Sequence, residues 1–412
     1  MIANMTEWVS SDKSIRLLTD DVMTAMRTLP DSSVDTIVSS PPYLGLRSYD
    51  HPDAWGLESD WRDYMKRMLE WGAECYRVLK PSGAFWLQLG DCYASSPSGH
   101  AGKAGLEGGQ PHGKRFKRAG TGFRPKDLML LPSRIAIALH DEMGFYVRND
   151  VIWAKTNHMP SSVKDRFANG YEHLFLLTKQ PRYYFNLDAV RRPQAPASKS
   201  RVNYAFRPTN PDYDSYGFTG EDCSATALNP NGANPGDVLH GPTAQFSAKA
   251  LGFDDFDHFA VFPEYLAEFA LSAGAPKQVC VTCGKPRAPI VETSQLDLNQ
   301  RRGGTKPFGD EITRRSPSFE NKTRAIHDVT GLTSCECGDR DGYAPGIVLD
   351  PFSGSGTTMA VAARLGLRGT GIDLSQRYNE MAQKRIEQAI LEREHGKQAA
   401  REIEAGQMSL PL

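Results

Sequence analysis

Two short apolar runs, each ending in a motif that no helix continues through, constrain this chain most. Val34-Asp35-Thr36-Ile37-Val38-Ser39 runs into Ser40-Pro41-Pro42-Tyr43. Near the other end, Gly346-Ile347-Val348-Leu349 runs into Asp350-Pro351-Phe352-Ser353-Gly354-Ser355-Gly356-Thr357-Thr358. Each run reads as a buried parallel strand with its motif at the carboxyl end. Ligands of open α/β sheets bind at that end, so the two motifs are expected to line one crevice.

The rest of the chain keeps a strand–helix rhythm. Strands are expected at 15–19, 84–89, 146–154, 172–178, 346–350 and 369–373, and helices at 22–29, 61–79, 127–141, from Pro263, 357–366 and 375–404. Lys80-Pro81-Ser82-Gly83 reads as a turn, and Arg182-Tyr183-Tyr184-Phe185 as a hairpin return. This pattern implies a doubly wound, mostly parallel α/β fold with right-handed crossovers. The sheet draws strands from both ends of the chain. Residues 94–126 are glycine-rich and basic, with Lys103, Lys114, Arg115, Lys117, Arg118, Arg124 and Lys126. They read as a solvated loop or one that contacts a polyanion. Residues 191–257 lose periodicity to Pro, Asn, Gly and Ser, as an irregular insertion does.

The expected division is 1–190, then the 191–257 insertion, then 258–279 with 345–404, a cysteine-bearing insertion over 280–344, and a tail over 405–412. The 412 residues hold no long apolar stretch and no signal-like start, so a soluble, cytoplasmic chain is expected. A net charge of −1 requires any nucleic-acid contact to come from a local basic surface. Seven cysteines, an odd number, argue for a reducing compartment.

The C-terminal motif suits a nucleotide-like cofactor. Its glycines let the backbone turn tightly and approach a ligand. Thr357 is expected to cap the following helix, whose N-terminus faces that ligand. No lysine follows the glycines, which excludes a phosphate-binding Walker loop. Asp373, at the next strand end and 23 residues past Asp350, stands where a carboxylate would hold a ribose diol.

The N-terminal motif suits a planar amine. An exocyclic amine on a base is a poor nucleophile because its lone pair is delocalised into the ring. A fixed backbone carbonyl and a fixed side-chain oxygen can accept its two hydrogens and favour a pyramidal nitrogen. Pro41 and Pro42 rigidify the carbonyl between them. Ser40 supplies the side-chain oxygen, and Tyr43 a face on which an extruded base can stack.

Together these motifs resemble those of the β-class S-adenosylmethionine-dependent DNA amino-methyltransferases, in which the Pro-Pro-Tyr motif precedes the cofactor loop. Further strings fit the same family: Asp31-Ser32-Ser33-Val34-Asp35, Leu87-Gln88-Leu89-Gly90-Asp91, Arg148-Asn149-Asp150-Val151-Ile152-Trp153, Met159 through Arg166, and Glu172-His173-Leu174-Phe175. The resemblance implies a seven-stranded, Rossmann-like sheet with permuted motif order. It implies that Asp350, Pro351, Phe352, Ser353, Gly354, Ser355, Gly356, Thr357 and Thr358 hold the methionine part of S-adenosylmethionine, with Phe262 and Pro263 beside it and Asp373 on the ribose. Asp21 matches a position near the adenine, although Asp20 replaces the family's glycine; as a residue on its own it reads equally as a helix cap. The implied catalytic residues are Ser40, Pro41, Pro42 and Tyr43, the implied partner is double-stranded DNA, and the implied setting is DNA methylation of the restriction-modification type in the cytoplasm of a bacterial or phage-infected cell, with the presence of a partner nuclease left open. Residues 191–257 are the implied reader of DNA sequence. A serine at position 40 is commoner in enzymes acting on the cytosine N4 amine, and aspartate or asparagine in those acting on adenine N6. Dimers are frequent in the family, but no interface signature is legible here.

Cys280-Val281-Thr282-Cys283-Gly284 and Cys335-Glu336-Cys337-Gly338 look like two zinc knuckles, which would let a polar insertion fold without a core. The second is one residue short of the usual spacing, and four free thiols are the plainer alternative. The last residues, Gln407-Met408-Ser409-Leu410-Pro411-Leu412, resemble the peptides that bind the bacterial sliding clamp. Two rivals remain. Methylation of a protein glutamine uses a similar motif but places the cofactor loop first. A non-catalytic DNA- or clamp-binding module would not need both motifs intact.

Overall fold

The computed structural model describes residues 5–44, 55–58, 60–94, 122–124, 126–158, 160–197, 229, 231–244, 247–253, 262–297, 323–337 and 342–404. Most of the basic 94–126 loop, most of 191–257 and the 405–412 tail lie outside them. Two compact units are distinguished: residues 1–185, 236–286 and 335–412, and residues 186–235 with 287–334.

The larger unit is built on one nine-stranded sheet. Its strands in chain order are β1 (Thr6–Val9), β2 (Ile15–Thr19), β3 (Val34–Ser39), β4 (Leu79–Leu89), β5 (Tyr146–Lys155), β6 (Tyr171–Thr178), β7 (Val238–Gly241), β12 (Ile347–Asp350) and β13 (Arg368–Asp373). They lie in the order β1-β2-β13-β12-β3-β4-β6-β5-β7. The expected seven strands, β2 through β5 in that order, are flanked by two additions. Strand β1 is an antiparallel hairpin partner of β2, and β7 runs parallel to β5. From β2 to β4 the sheet is parallel, and β6 turns it antiparallel on both sides. Every residue of β3 is buried, as a central strand covered on both faces should be.

Helices cover both faces. On one lie α1 (Val22–Arg27), α2 (Trp61–Val78) and α3 (Leu131–Met143). The α2 stripe Tyr64, Met68, Trp71, Cys75 and Val78 recurs at three- and four-residue steps and packs on Phe85 and Leu87 of β4. Trp86, between them, points to the opposite face and meets α4 (Glu264–Gly274), where a Cβ on Gly274 would lie 2.6 Å from its indole nitrogen. Helices α5 (Thr357–Arg364) and α6 (Gln376–Glu404) follow β12 and β13. A short pair, β8 (Val279–Cys280) with β11 (Tyr343–Ala344), completes this unit. Among the described residues no helix is long and apolar enough to cross a membrane.

Three local expectations need correction. The turn expected at 80–83 is strand: β4 begins at Leu79, which pairs with Val34 before an irregularity in register. Residues 182–185 form no strand, although the Tyr184 amide donates to Ser82 O at 2.9 Å. Helix α3 starts at Leu131 rather than 127. It lacks a cap of its own, and the Asp91 carboxylate accepts the Leu130 and Leu131 amides at 3.0 and 3.2 Å instead.

The smaller unit contains a hairpin, β9 (Pro289–Asp297) with β10 (Thr323–Leu332), carrying a register shift between Val329 and Gly331. Arg287 Nε bonds Thr333 O at its base.

At the amino end of the central strands, buried Asp35 accepts Lys80 Nζ at 2.7 Å and the Ile347 amide at 2.8 Å, joining β3, β4 and β12. Removing one partner of a buried pair strands the other. Asp35→Ala should therefore lower the unfolding free energy by about 3 kcal/mol, read as a fall in the urea midpoint at unchanged slope. A loss within about 0.5 kcal/mol, the range of surface substitutions, would show that the junction does not need this carboxylate.

Candidate active site

Strands β2, β13, β12, β3 and β4 all present their carboxyl ends on one edge of the sheet. The two motifs meet there. Ser39, the last residue of β3, donates its hydroxyl to Asp350 Oδ1 at 2.9 Å, and both are buried. The same oxygen accepts the Phe352 amide at 3.1 Å, and Thr358 also bonds this carboxylate. Asp373, ending β13, accepts the Gly354 amide at 2.9 Å and the Ser375 amide at 2.8 Å. The Ser353-Gly354-Ser355-Gly356 turn is thereby slung between two carboxylates. Gly354 and Gly356 have φ of 51° and 78°, and a Cβ on Gly356 would lie 2.5 Å from Ala382. Only glycine fits there. The space over Gly354 is open, and the buried Ser353 hydroxyl has no partner among the described residues.

Gly356, not Thr357, precedes the first turn of α5. Thr357 is already helical, and its hydroxyl accepts from Arg385 at 2.9 Å. The left-handed conformation needed at the cap position excludes a β-branched residue. Pro351 and Thr358 are buried, and Phe352 packs edge-on against Trp55 and Trp71 with centroids 5.2 and 5.3 Å away. Asp21, beyond β2, accepts the Met23 and Thr24 amides at 3.1 Å each, which makes it the cap of α1. Pro263 caps α4 and is buried, with Phe262 half-buried before it.

Ser40-Pro41-Pro42-Tyr43 is held from several sides. Tyr64 of α2 donates to Pro42 O at 3.0 Å, and a Cβ on Gly56 would lie 2.6 Å from Tyr43 O. Among the described residues the Pro41 carbonyl accepts no hydrogen bond. The Tyr43 ring lies against Gly90, where a Cβ would come within 2.8 Å of it. Its hydroxyl donates to Glu172 Oε2 at 2.9 Å and lies 3.2 Å from Ser40 Oγ. Gln88 Nε2 reaches the same carboxylate oxygen at 2.6 Å, and Lys155 Nζ pairs with the other. Burial and the Glu172 charge hold the Tyr43 phenol well above its ordinary 10.0, so it stays neutral. Ser39, Gly90, Lys155 and the tyrosine contact of Glu172 escaped the sequence reading. Only Gln88, Gly90 and Glu172 stood in strings that carried the resemblance.

The four cysteines of the two knuckles converge, with Cys280, Cys283, Cys335 and Cys337 sulfurs all within 4.8 Å of one another. Gly284, at φ 72°, closes the first knuckle by donating its amide to Cys280 O at 2.9 Å. Backbone amides of Cys283 and Thr282 hold the Cys280 thiol down at about 6, while neighbouring Cys283 pushes Cys337 up to about 12. Such a cluster shares negative charge that a bound cation would neutralise.

A family model described as DNA methylase matches residues 34–281 and 343–384. Type II methyltransferase M.SfiI of Streptomyces fimbriatus is 42% identical over 177 residues, covering 43% of this chain and 39% of that protein. Type II methyltransferase M.SmaI of Serratia marcescens is 26% identical over 377 residues, 92% of each chain. The match thus spans well under half the length of the first and nearly all of the second. Among solved structures, PvuII DNA methyltransferase (cytosine-N4-specific) aligns with a TM-score of 0.49 and 16% identity, covering 92% of this chain and 87% of that one.

Burial pushes both Asp350 and Asp373 up from 3.8 to about 6. The folded chain therefore holds these protons more tightly than the unfolded one. The stability they contribute is complete below pH 3.8 and is lost as pH rises through about 6. Asp350→Asn keeps an acceptor for Ser39 and removes the charge. Its melting temperature relative to the parent protein, both free of ligand, should rise as pH goes from about 5 to 7.5. A difference independent of pH would show that burial does not perturb this carboxylate.

Proposed function

This chain belongs to the DNA methylase family, and on that premise we propose that it moves a methyl group from S-adenosylmethionine to the N4 amine of cytosine in a specific sequence of double-stranded DNA. The observation that carries this reading is the Ser39–Asp350 hydrogen bond, which sets an amine-binding motif and a cofactor-type loop side by side. The serine at position 40 favours cytosine over adenine.

The site fits the cofactor in charge and shape. S-adenosylmethionine when bound supplies a methyl activated by a sulfonium. Asp350, buried, and Asp373, half-buried, have no ion-pair partner among the described residues and complement a cationic ligand, and Gly354 leaves room for it. The chain's own residues then do three things. Asp373 holds the ribose while the 350–358 loop holds the methionine end, with Phe262 and Pro263 beside it. Ser40 Oγ and the Pro41 carbonyl accept the two amine hydrogens and draw the nitrogen lone pair out of conjugation. Tyr43 gives the extruded base a fixed face to stack on. Catalysis is by position, with no covalent enzyme intermediate.

We further propose that the four cysteines hold a structural zinc ion. Tetrahedral thiolate ligation needs sulfurs roughly 3.8 Å apart, given Zn–S bonds of about 2.3 Å, and the four sulfurs already lie within 4.8 Å of one another. Closed four-sulfur ligation leaves no open position, so its role is to tie the chain together on either side of the 287–334 segment.

Incubation with labelled S-adenosylmethionine and unmethylated plasmid DNA, followed by nucleoside mass spectrometry, should reveal N4-methylcytosine. Ser40→Ala should reduce transfer roughly 100-fold, as loss of a positioned hydrogen-bonding partner does elsewhere. N6-methyladenine would keep the mechanism and change the base, whereas cofactor binding without any label in DNA would overturn the reading. Metal analysis of the purified chain should give one zinc per molecule, lost from a Cys280→Ser/Cys335→Ser variant along with thermal stability. Protein free of metal when purified in zinc-containing buffer would remove the site.

A further inference from the structure

Ser40, just past the end of β3, and Glu172, on β6, are joined by Tyr43. The Tyr43 phenol has one proton, and it is donated to Glu172 Oε2 at 2.9 Å. The 3.2 Å contact between Ser40 Oγ and Tyr43 Oη can then be made only with Ser40 as donor. Ser40 thereby spends its single proton on Tyr43 and presents lone pairs alone to anything on its other side. Glu172 is itself fixed by Gln88 and Lys155. Lys155 also lines an open cavity of about 420 Å³ with Asn157, His158, Arg166 and Asn169. An unbroken line of hydrogen bonds therefore runs from the Pro-Pro-Tyr motif to a solvent-accessible pocket.

We propose that Ser40, Tyr43 and Glu172 form a proton-exit relay for the methylated amine, an inference that rests on the methyl-transfer reading above. Methyl transfer breaks the carbon–sulfur bond, whose electron pair stays on sulfur, and forms a carbon–nitrogen bond from the nitrogen lone pair. The nitrogen is left with a positive charge and one proton too many. That proton passes to Ser40 Oγ as the Ser40 proton passes to Tyr43 Oη and the Tyr43 proton to Glu172 Oε2. Both hydroxyls end neutral, and Glu172 ends protonated. The protonated carboxyl then loses its proton to solvent, and the hydroxyls rotate back. An aryl ammonium is a strong acid because its conjugate base regains delocalisation of the lone pair into the ring, so a carboxylate at the end of the line suffices. A phenol held neutral suits a relay in which no tyrosinate accumulates.

The same contacts would also fix the Tyr43 ring, so the test must separate transport from positioning. Tyr43→Phe keeps the ring over Gly90 and deletes only the hydroxyl. Single-turnover methylation of duplex DNA by the full chain should slow by at least ~100-fold, the low end for a lost proton-transfer partner. Cofactor and DNA affinities should stay unchanged. The parent protein should show a solvent deuterium isotope effect with a curved proton inventory, reporting several protons in flight, and Tyr43→Phe should lose that curvature. Glu172→Ala should slow likewise and recover with added formate, a small base that the pocket can admit. Two results would overturn the relay: Tyr43→Phe within twofold of the parent rate, or slowing with an unchanged inventory and no formate rescue. If Glu172→Ala fails to fold, Tyr43→Phe decides alone. A parent protein that methylates no DNA would refute the underlying function instead.

Discussion

The pairing of β3 with β12 is the constraint on which the rest of the structure depends. Thr36 and Ile37 lie beside Val348 and Leu349, bringing together stretches more than three hundred residues apart. Closing so long a loop is less prohibitive than its length suggests, since each doubling adds only about 0.6 kcal/mol. The junction is pinned at both ends by carboxylates. Asp35 takes the first amide of β12 and the Lys80 ammonium, and Asp350 takes the Ser39 hydroxyl at the far end. Because the strands run parallel and stop in step, each motif begins one step beyond a fixed point. Geometry at the site is inherited from the sheet.

That inheritance matters because the proposed chemistry asks for stiffness more than reactivity. A delocalised amine is made nucleophilic by acceptors that do not move, and this chain holds the Pro-Pro-Tyr segment at four separate points. Tyr64 on α2 holds one carbonyl, Gly56 admits the next, Gly90 at the end of β4 seats the ring, and Glu172 on β6 takes the hydroxyl. Each contact comes from a part of the fold already locked by packing, which is how a site keeps its geometry without rearranging during reaction.

The sequence made the strand ends legible because prolines and glycines leave local marks. Pro41 and Pro42 must stop a strand, and the glycines after Asp350 must turn the chain, whatever else surrounds them. Helices were legible from apolar spacing, as in the α2 stripe. What escaped was set by distant partners. Nothing near Glu172 says that it will meet a tyrosine 129 residues earlier, and nothing near Ser39 names Asp350. Thr357 looked like a cap because threonine commonly is one, but the backbone enters α5 through a left-handed residue and so requires Gly356. The Pro81-Ser82-Gly83 turn failed for a related reason: pairing beside β3 outweighed the local preference of those residues. The short Cys335–Cys337 spacing hid in one dimension a convergence of four sulfurs that the fold makes in three.

Several carboxylates of the scaffold are compensated by charge pairing. Asp35 is matched by Lys80, Glu58 by Arg67 and Glu172 by Lys155, each with a cation on a neighbouring element. Burying a carboxylate without such a partner is costly, and proteins seldom leave it uncompensated. Asp350 and Asp373 have no such cation among the described residues, and neither does buried Asp20 beyond β2. Among the described residues the first two receive only hydroxyls and backbone amides, and burial pushes both up to about 6. Replacing either by a neutral residue would relieve the fold of that strain, so stability alone does not account for two acids side by side. A ligand carrying its own positive charge does, because it supplies on binding the countercharge that the chain withholds. On the methyl-transfer reading, the sulfonium and ammonium of S-adenosylmethionine supply it, and electrostatic strain in the free protein becomes affinity in the complex.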